Sequence, residues 1–246
     1  MKQYAFGTGT LIGTSAAAGS SPLGFGALQN ASVDFSFNSK PLFGQYNFAL
    51  SVARGQGKIA IKAASAEISG LRYNQLFFDA ALAAGSQAFS VGEVGQIPAA
   101  TPYTVTVANS ASFLDDQGVV YGATGLPLQR VTNAPTQGQY SVAAGVYTFA
   151  AADSGQAVYI TYRYNVAASG QTLTITNNLL GVAPTFALAF SMTYQGAQFN
   201  FKLNNCVSSK LTIATKLEDF VMPDFEAEAF ADSSGNIGTM SFSQVE

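Results

Sequence analysis

A mainly β chain is what the sequence predicts: two packed antiparallel sheets, sandwich-like or barrel-like, flanked by one α-helix and carrying an inserted β subdomain. Three observations lead there. Apolar and polar residues alternate with period two along most of the chain. Clusters of Gly, Asn, Asp and Ser punctuate the alternating runs. A single stretch has the three-to-four spacing of a helix. A length of 246 residues suits one large β domain with an embedded subdomain, and 48% hydrophobic residues suffice for a sizeable core.

Val33, Phe35 and Phe37 alternate with Asp34, Ser36 and Asn38, which reads as a half-buried strand. Phe48, Leu50 and Val52 repeat the pattern, as do Ile59, Ile61 and Ala63. The link from Arg54 to Lys58 is rich in glycine and predicts a hairpin turn between these last two runs. The helix is expected over 69–82, with Ser69 as N-cap and Ala83–Gly85 as the stop. Its Leu71, Leu76, Phe77 and Phe78 would cover one face of a sheet.

The texture changes between about residues 100 and 170, where strands over 103–108, 139–142, 146–149 and 157–164 are interrupted by turns. In the last of these, Val158, Ile160, Tyr162 and Tyr164 share one face, and Tyr159, Thr161 and Arg163 the other. Residues 100–170 are therefore expected to be the inserted subdomain, and 1–99 with 171–246 the main domain. The main sheet resumes with Phe186, Leu188, Phe190 and Met192, turns at Gln195–Ala197, and returns through Phe199, Phe201 and Leu203. A further strand is expected over 207–213. A last hairpin is expected from Phe225–Phe230 and Ile237–Phe242 around an Asp232–Asn236 turn.

Composition removes several chemistries. The chain has no His, so nucleophile systems that depend on His as base, and His-ligated metals, are excluded. The lone Cys206 excludes an intrachain disulfide and reads as a buried, small apolar side chain. Gly7–Gly13 has neither the preceding strand nor the following helix of a dinucleotide site, and Arg54–Lys58 lacks the spacing of a phosphate loop. Asp115 and Asp116 sit in what reads as a turn, where Asp favours bonds to its own backbone, and there is no Trp to act as a sugar platform. Glu226 and Glu228 share a strand face, as solvated edge residues do. No enzyme, cofactor or metal site is expected. The start of the chain has no apolar run of the signal-peptide kind, and no stretch nears the roughly 18 apolar residues of a membrane helix.

Charge is sparse and uneven. Only 10% of residues are charged, against about 25% on average. No basic residue follows Lys216, yet seven of the 14 acids do: Glu218, Asp219, Asp224, Glu226, Glu228, Asp232 and Glu246. The first 216 residues hold 11 basic and seven acidic groups, a formal +4. A net charge of −3 argues against wrapping nucleic acid. Long strands with little edge protection point to sheets that continue into neighbouring copies, with Tyr159 and Tyr164 as residues able to reach a partner.

The order of segments resembles a family. Gly7–Gly13 (GTGTLIG), Gly26–Ser36, Phe48–Gly55 and the helix at 69–82 look like a tailed-bacteriophage tail tube, or major tail, protein. Gly138–Val142, Gly145–Asp153 and Ile160–Tyr164 are similar to a segment common in phage structural proteins. Leu217–Phe220, Pro223–Phe225 and Phe230–Asn236 fit the same group. The resemblance spans nearly the whole chain. It implies hexameric rings whose inner sheets join into a lumen-lining barrel, stacked into a tube around a tape-measure protein, with DNA later passing through without specific binding. Sheath, baseplate and terminator proteins are further implied partners, and the virion tail is the implied location. Six copies at −3 carry about −18, which repels phosphate. Some of Glu218, Asp219, Asp224, Glu226, Glu228 and Asp232 are accordingly expected to face the lumen or to pair with basic residues of the next ring, a solvated outer surface being the alternative. The resemblance also implies an arm that orders on assembly, for which 14–23 and 85–101 are candidates by composition.

Other readings stay open. A tail terminator, baseplate hub or capsid decoration protein shares these strands but ends as a single ring or a spike. An outer-membrane barrel or secreted adhesin is disfavoured by the start of the chain, and a carbohydrate-processing enzyme by the lack of a catalytic set.

Overall fold

The computed structural model describes residues 4–243, so Glu246 lies outside the described residues. Backbone pairing, mainly antiparallel, dominates, as the period-two pattern predicts. The chain forms two units with separate apolar cores. One comprises the residues up to Ala81 and from Thr174, the other Leu82–Leu173.

The first unit opens with β1 (Thr10–Ser15) and the two-residue β2 (Leu23–Gly24). The loop between them turns on local bonds: Ser15 Oγ accepts from Ala17 N at 3.1 Å, and Ser20 N donates to Ala17 O. β3 (Leu28–Phe43) and β4 (Ala49–Ser65) then form one long hairpin that reverses between residues 44 and 48. The turn expected at Arg54–Lys58 is absent, and β4 continues through it with only a bulge that sets Gly55 and Gln56 opposite Asn38. Gly57 lies opposite Phe37, and a Cβ at Gly57 would sit 2.6 Å from the Phe37 ring. The Arg54 guanidinium stacks 3.5 Å from the same ring's centroid. Gly57 there makes room for an aromatic side chain across the strand instead of reversing the chain.

The helix is shorter than expected. Ser69 caps it, Oγ accepting from Arg72 N at 3.4 Å, but α1 covers only Gly70–Tyr73. A π-helical turn, Asn74–Phe78, follows and ends at Asp79 with φ of 45°. Asn74 fixes this early stop: its Nδ2 donates to Ala80 O at 2.8 Å and its Oδ1 accepts from Ala80 N at 3.0 Å. Leu76 is fully buried and Phe77 meets Phe225 edge-on, whereas Leu71 is exposed.

The second unit begins at Leu82, not near residue 100. The segment read as an arm, 85–101, is largely strand: β5 (Leu82–Gln96) pairs with β11 (Ala157–Leu173) from Gln96↔Ala157 to Leu82↔Leu173. Between them run β6 (Thr104–Thr106), β7 (Phe113–Tyr121), β8 (Gln129–Arg130), β9 (Gln139–Ala143) and β10 (Val146–Phe149). A three-stranded sheet, β5-β11-β7, and a four-stranded sheet, β6-β10-β9-β8, enclose Ile97, Val119, Tyr147, Val158, Ile160 and Tyr162. The face assignment read from residues 158–164 is the one observed.

The first unit closes with β12 (Thr185–Tyr194), β13 (Ala197–Thr212), β14 (Asp224–Phe230) and β15 (Gly238–Phe242). β12 and β13 are joined by Gln195 (φ 49°) and Gly196 (φ 81°), the two positive φ values of a type I′ turn. The strand expected over 207–213 is the continuation of β13. The expected last hairpin does not form. β14 and β15 lie end to end on one edge of β13, pairing with Asn205–Thr212 and Phe199–Leu203 respectively. Asp232 holds the intervening loop, Oδ1 accepting from Ser234 N and Asn236 N, and Oδ2 from Asn204 Nδ2.

The resulting eight-stranded sheet has the order β2-β1-β12-β13-β14-β4-β3, with β15 beside β13. It curls so that its two ends share one core of Leu11, Ile61, Phe186, Leu188, Cys206 and Phe225. Ala31, Val33 and Phe35 of β3 and Phe190, Met192 and Phe199 of β12 and β13 line one cavity of about 190 Å3. Leu82 and Leu173 being a paired couple, residues 82–173 are expected to fold when expressed alone. A single cooperative denaturant transition checks this, and a broad, non-cooperative one refutes it.

Candidate functional site

β4 has β14 beside it only from Ile59 to Ala64. Beyond that point the hairpin is a two-stranded ribbon, and residues 36–43 and 49–54 are all exposed. Its side chains are nonetheless apolar. Phe48 is 85% exposed, Tyr46 68%, Leu50 65%, and Leu42, Phe43 and Val52 are similar. A two-stranded hairpin is marginal in water by itself, and an exposed apolar patch of this size marks a contact surface. The only charges on the ribbon are cationic. Lys40 and Arg54 stand on it, and no acid occurs between Asp34 and Glu67.

The six acids named from the sequence are not brought together. Glu226 and Glu228 project from one face of β14 into a ladder: Glu228 pairs with Lys58, and Glu226 with Lys62 at 3.6 Å and Lys210 at 3.8 Å. These contacts follow from the cross-strand register, Glu226↔Lys62 and Lys210↔Glu226. Each exposed pair is worth about 0–1 kcal/mol. Asp232 is the loop ligand described above, and the backbone bond from Asn236, with help from Asn204 and Ser234, lowers its pKa.

Glu218, Asp219 and Asp224 lie in or beside an irregular segment, 213–223, which the sequence marks by its acids and by the resemblance of Leu217–Phe220 but not as an exposed apolar surface. Asp219 meets Lys216 at 3.4 Å, while Glu218 and Asp224 have no ion-pair partner among the described residues. Leu217 is 99% exposed and Phe220 86%. Ala214, Lys216, Phe220 and Asp224 line a shallow pocket of about 390 Å3 with Asn30 and Ala64, at the base of the β3–β4 hairpin. The signal available in the sequence was an apolar segment, Ile213–Met222, with neither strand nor helix period. A second such segment, 174–184, exposes Leu179 and Leu180.

In the second unit the Asp115–Asp116 pair lies in β7, not in a turn, and the two side chains go separate ways. Asp115 makes a bidentate pair with Arg163, Oδ1 accepting from Nε at 2.8 Å and Oδ2 from Nη2 at 2.7 Å. Bonding to Arg163 lowers its pKa. The Asp116 side chain is buried and accepts from Tyr140 at 2.7 Å, Tyr147 at 2.9 Å and its neighbour Gly118 N. Tyr121 likewise donates to Asp153 at 2.7 Å, and Tyr162 to Glu93 at 2.6 Å. Both oxygens of Asp116 are occupied, an arrangement that holds a fold rather than a substrate. Tyr159 is on the open face of its sheet beside Val94, whereas Tyr164 packs against Tyr162. In the first unit Cys206 is fully buried, and desolvation pushes its thiol up to about 12.

Among the described residues no cluster of acids or Cys is placed to hold a metal ion, and no helix is long and apolar enough to cross a membrane. No family model matches the chain, and no curated protein matches it.

Burial, followed by the Asp153 contact, raises the Tyr121 phenol from its ordinary value of 10.0 to about 12; burial and Asp116 raise Tyr140 and Tyr147 further. A phenol with a raised folded pKa stabilises fully below its unfolded pKa. The second unit is therefore expected to keep its stability below pH 10 and lose it as pH rises through about 12. Phenolate absorbance should rise together with unfolding, and early ionisation of the folded unit refutes this. Tyr147→Phe, which strips a buried carboxylate of one donor, is expected to cost about 1–3 kcal/mol in denaturant melts. In the first unit, Cys206 should resist a thiol reagent at neutral pH until the protein is unfolded.

Proposed function

We propose that this chain is a structural subunit that assembles with copies of itself, specifically a bacteriophage tail tube protein building stacked hexameric rings. The observation that carries the reading is the β3–β4 ribbon, an apolar arm of two exposed strands that projects past its own sheet. Such a surface needs a partner, and a second copy supplies one at equal concentration. The ends of the sheet agree with this. Among the described residues β2 covers β1 only at Ile12 and Gly13, and the far edge of β3 has no strand beside it. Two open edges on one sheet allow head-to-tail pairing, which closes into a ring when the rotation permits. The face of the sheet that carries the Lys–Glu ladder presents short side chains such as Ala60 and Ser191 among near-balanced charges, a smooth wall for a lumen through which DNA slides. Hexameric symmetry, the tape-measure partner and any sheath, baseplate or terminator contact come from the family resemblance.

The test is negative-stain microscopy of the purified protein. Hollow filaments with a regular axial repeat are expected. Particles that stop at one ring would favour a terminator or hub, and a protein that stays monomeric at high concentration would overturn the reading. Phe48→Ser with Leu50→Ser and Val52→Ser should abolish filaments. Because all three side chains are exposed, thermal stability should change by no more than about 0.5 kcal/mol per site.

A further inference from the structure

Two surfaces of the first unit complement one another but lie too far apart to meet within one chain. One is the distal ribbon, whose exposed Phe43, Tyr46, Phe48 and Leu50 accompany Lys40 and Arg54 with no acid nearby. The other is the 213–224 patch, whose exposed Leu217 and Phe220 accompany Glu218, Asp219 and Asp224 with Lys216 as the single cation. The patch adjoins Asn30 and Ala64, directly opposite one another at the base of the hairpin. The tip begins at the Phe43↔Ala49 pair. At about 3.3 Å per strand residue, Asn30 to Phe43 spans roughly 40 Å.

We infer that the β3–β4 ribbon of one copy docks on the 213–224 patch of the next, setting Lys40 and Arg54 against Glu218 and Asp224. The contact buries two apolar surfaces that are otherwise left in water, and it pairs charges that have no ion-pair partner among the described residues. Donor and acceptor surfaces lie at opposite ends of one hairpin, so each copy that docks presents a fresh surface of each kind. Such a contact is heterologous and open-ended, and it extends along the hairpin axis. It is separate from the edge-to-edge pairing that would close a ring, and it rests on the self-assembly reading above.

Charge exchange tests it. Three variants are compared with the unaltered protein at low salt, by sedimentation velocity and microscopy: Lys40→Glu with Arg54→Glu, Glu218→Lys with Asp224→Lys, and all four together. Each pair alone should weaken end-to-end association on the order of tenfold or more, and the fourfold exchange should restore most of it. Mixing the two half-exchanged proteins should likewise restore association, since each then offers the surface the other lacks. Thermal unfolding of the Glu218→Lys with Asp224→Lys variant should match the original, as both side chains are exposed, whereas the variants carrying Arg54→Glu also lose the contact with Phe37 and should unfold slightly earlier while remaining folded. If the unaltered protein assembles while the single-surface exchanges assemble equally well, or the fourfold exchange stays weak, this contact is wrong and the tube reading stands. If the unaltered protein does not associate at all, both fall.

Discussion

β4 keeps a neighbour on each side only between Ile59 and Ala64, and past Ile59 the hairpin continues without the sheet. Water can satisfy the backbone groups left along both edges of that ribbon. It cannot satisfy Phe43, Phe48 or Leu50, whose apolar surface remains a cost for as long as the chain is alone. Everything proposed for the molecule depends on this mismatch between where the ladder stops and where the apolar side chains stop. The sheet itself does not require the extension, because Ala31, Val33, Ile59, Ile61 and Ala63 already complete its core contacts.

The arms of the sheet show how far local pattern can be read. β12 and the first half of β13 are legible, since Phe186, Leu188 and Phe190 mark the buried face and Gln195–Gly196 marks the turn, but the sequence divides β13 into two strands where the structure has one. Arg54–Lys58 misled because glycine has two uses. One is freedom in φ, the other is the missing Cβ, and only the long-range register placing Phe37 over Gly57 decides between them. β5 was missed because Ala83, Ala84, Gly85 and Ser86 carry no alternation, and its strand exists through pairing with β11 some 75 residues later. The end of the chain failed for a related reason. Two strands and a turn predict a hairpin locally, yet β13 is long enough to take both strands on one edge, and Asp232 shapes the loop that lets them align. The candidate site inherits these limits. Its acids are adjacent in sequence, but pairing with Lys58, Lys62 and Lys210 separates Glu226 and Glu228 from the rest.

The two units solve the problem of a charge-poor core differently. The first packs Phe186, Phe190, Phe201 and Phe225 with Leu and Ile, and its fully buried Cys206 is held neutral. The second places Tyr140, Tyr147 and Tyr162 in its core and gives each phenol a carboxylate acceptor. Those carboxylates bind Asp116 to β9 and β10, and Asp153 to β7, so directional bonds fix how its two sheets face one another. Removing one phenol takes a donor from a carboxylate in that network, which makes it more specific than an apolar core of equal size and less tolerant of change.

Sparse charge also makes the remaining charges easier to interpret. In a chain with ordinary composition, an exposed Lys or Glu without a partner says nothing. Here only 25 residues are charged, and most of those described have a structural task. Asp115 and Arg163 lock β7 to β11, Asp116 and Asp153 collect phenols, Asp232 shapes a loop, and the Lys–Glu ladder joins β4, β14 and β13. Lys40, Arg54, Glu218 and Asp224 have no such ion-pair task, although Arg54 covers Phe37. The two cations stand among the exposed apolar residues of the ribbon and the two acids beside those of the 213–224 segment. Charges left without partners on apolar surfaces, segregated by sign and by end of the same hairpin, are what an interface between identical copies requires: apolar area supplies the attraction, and the sign at each end decides which surface it meets.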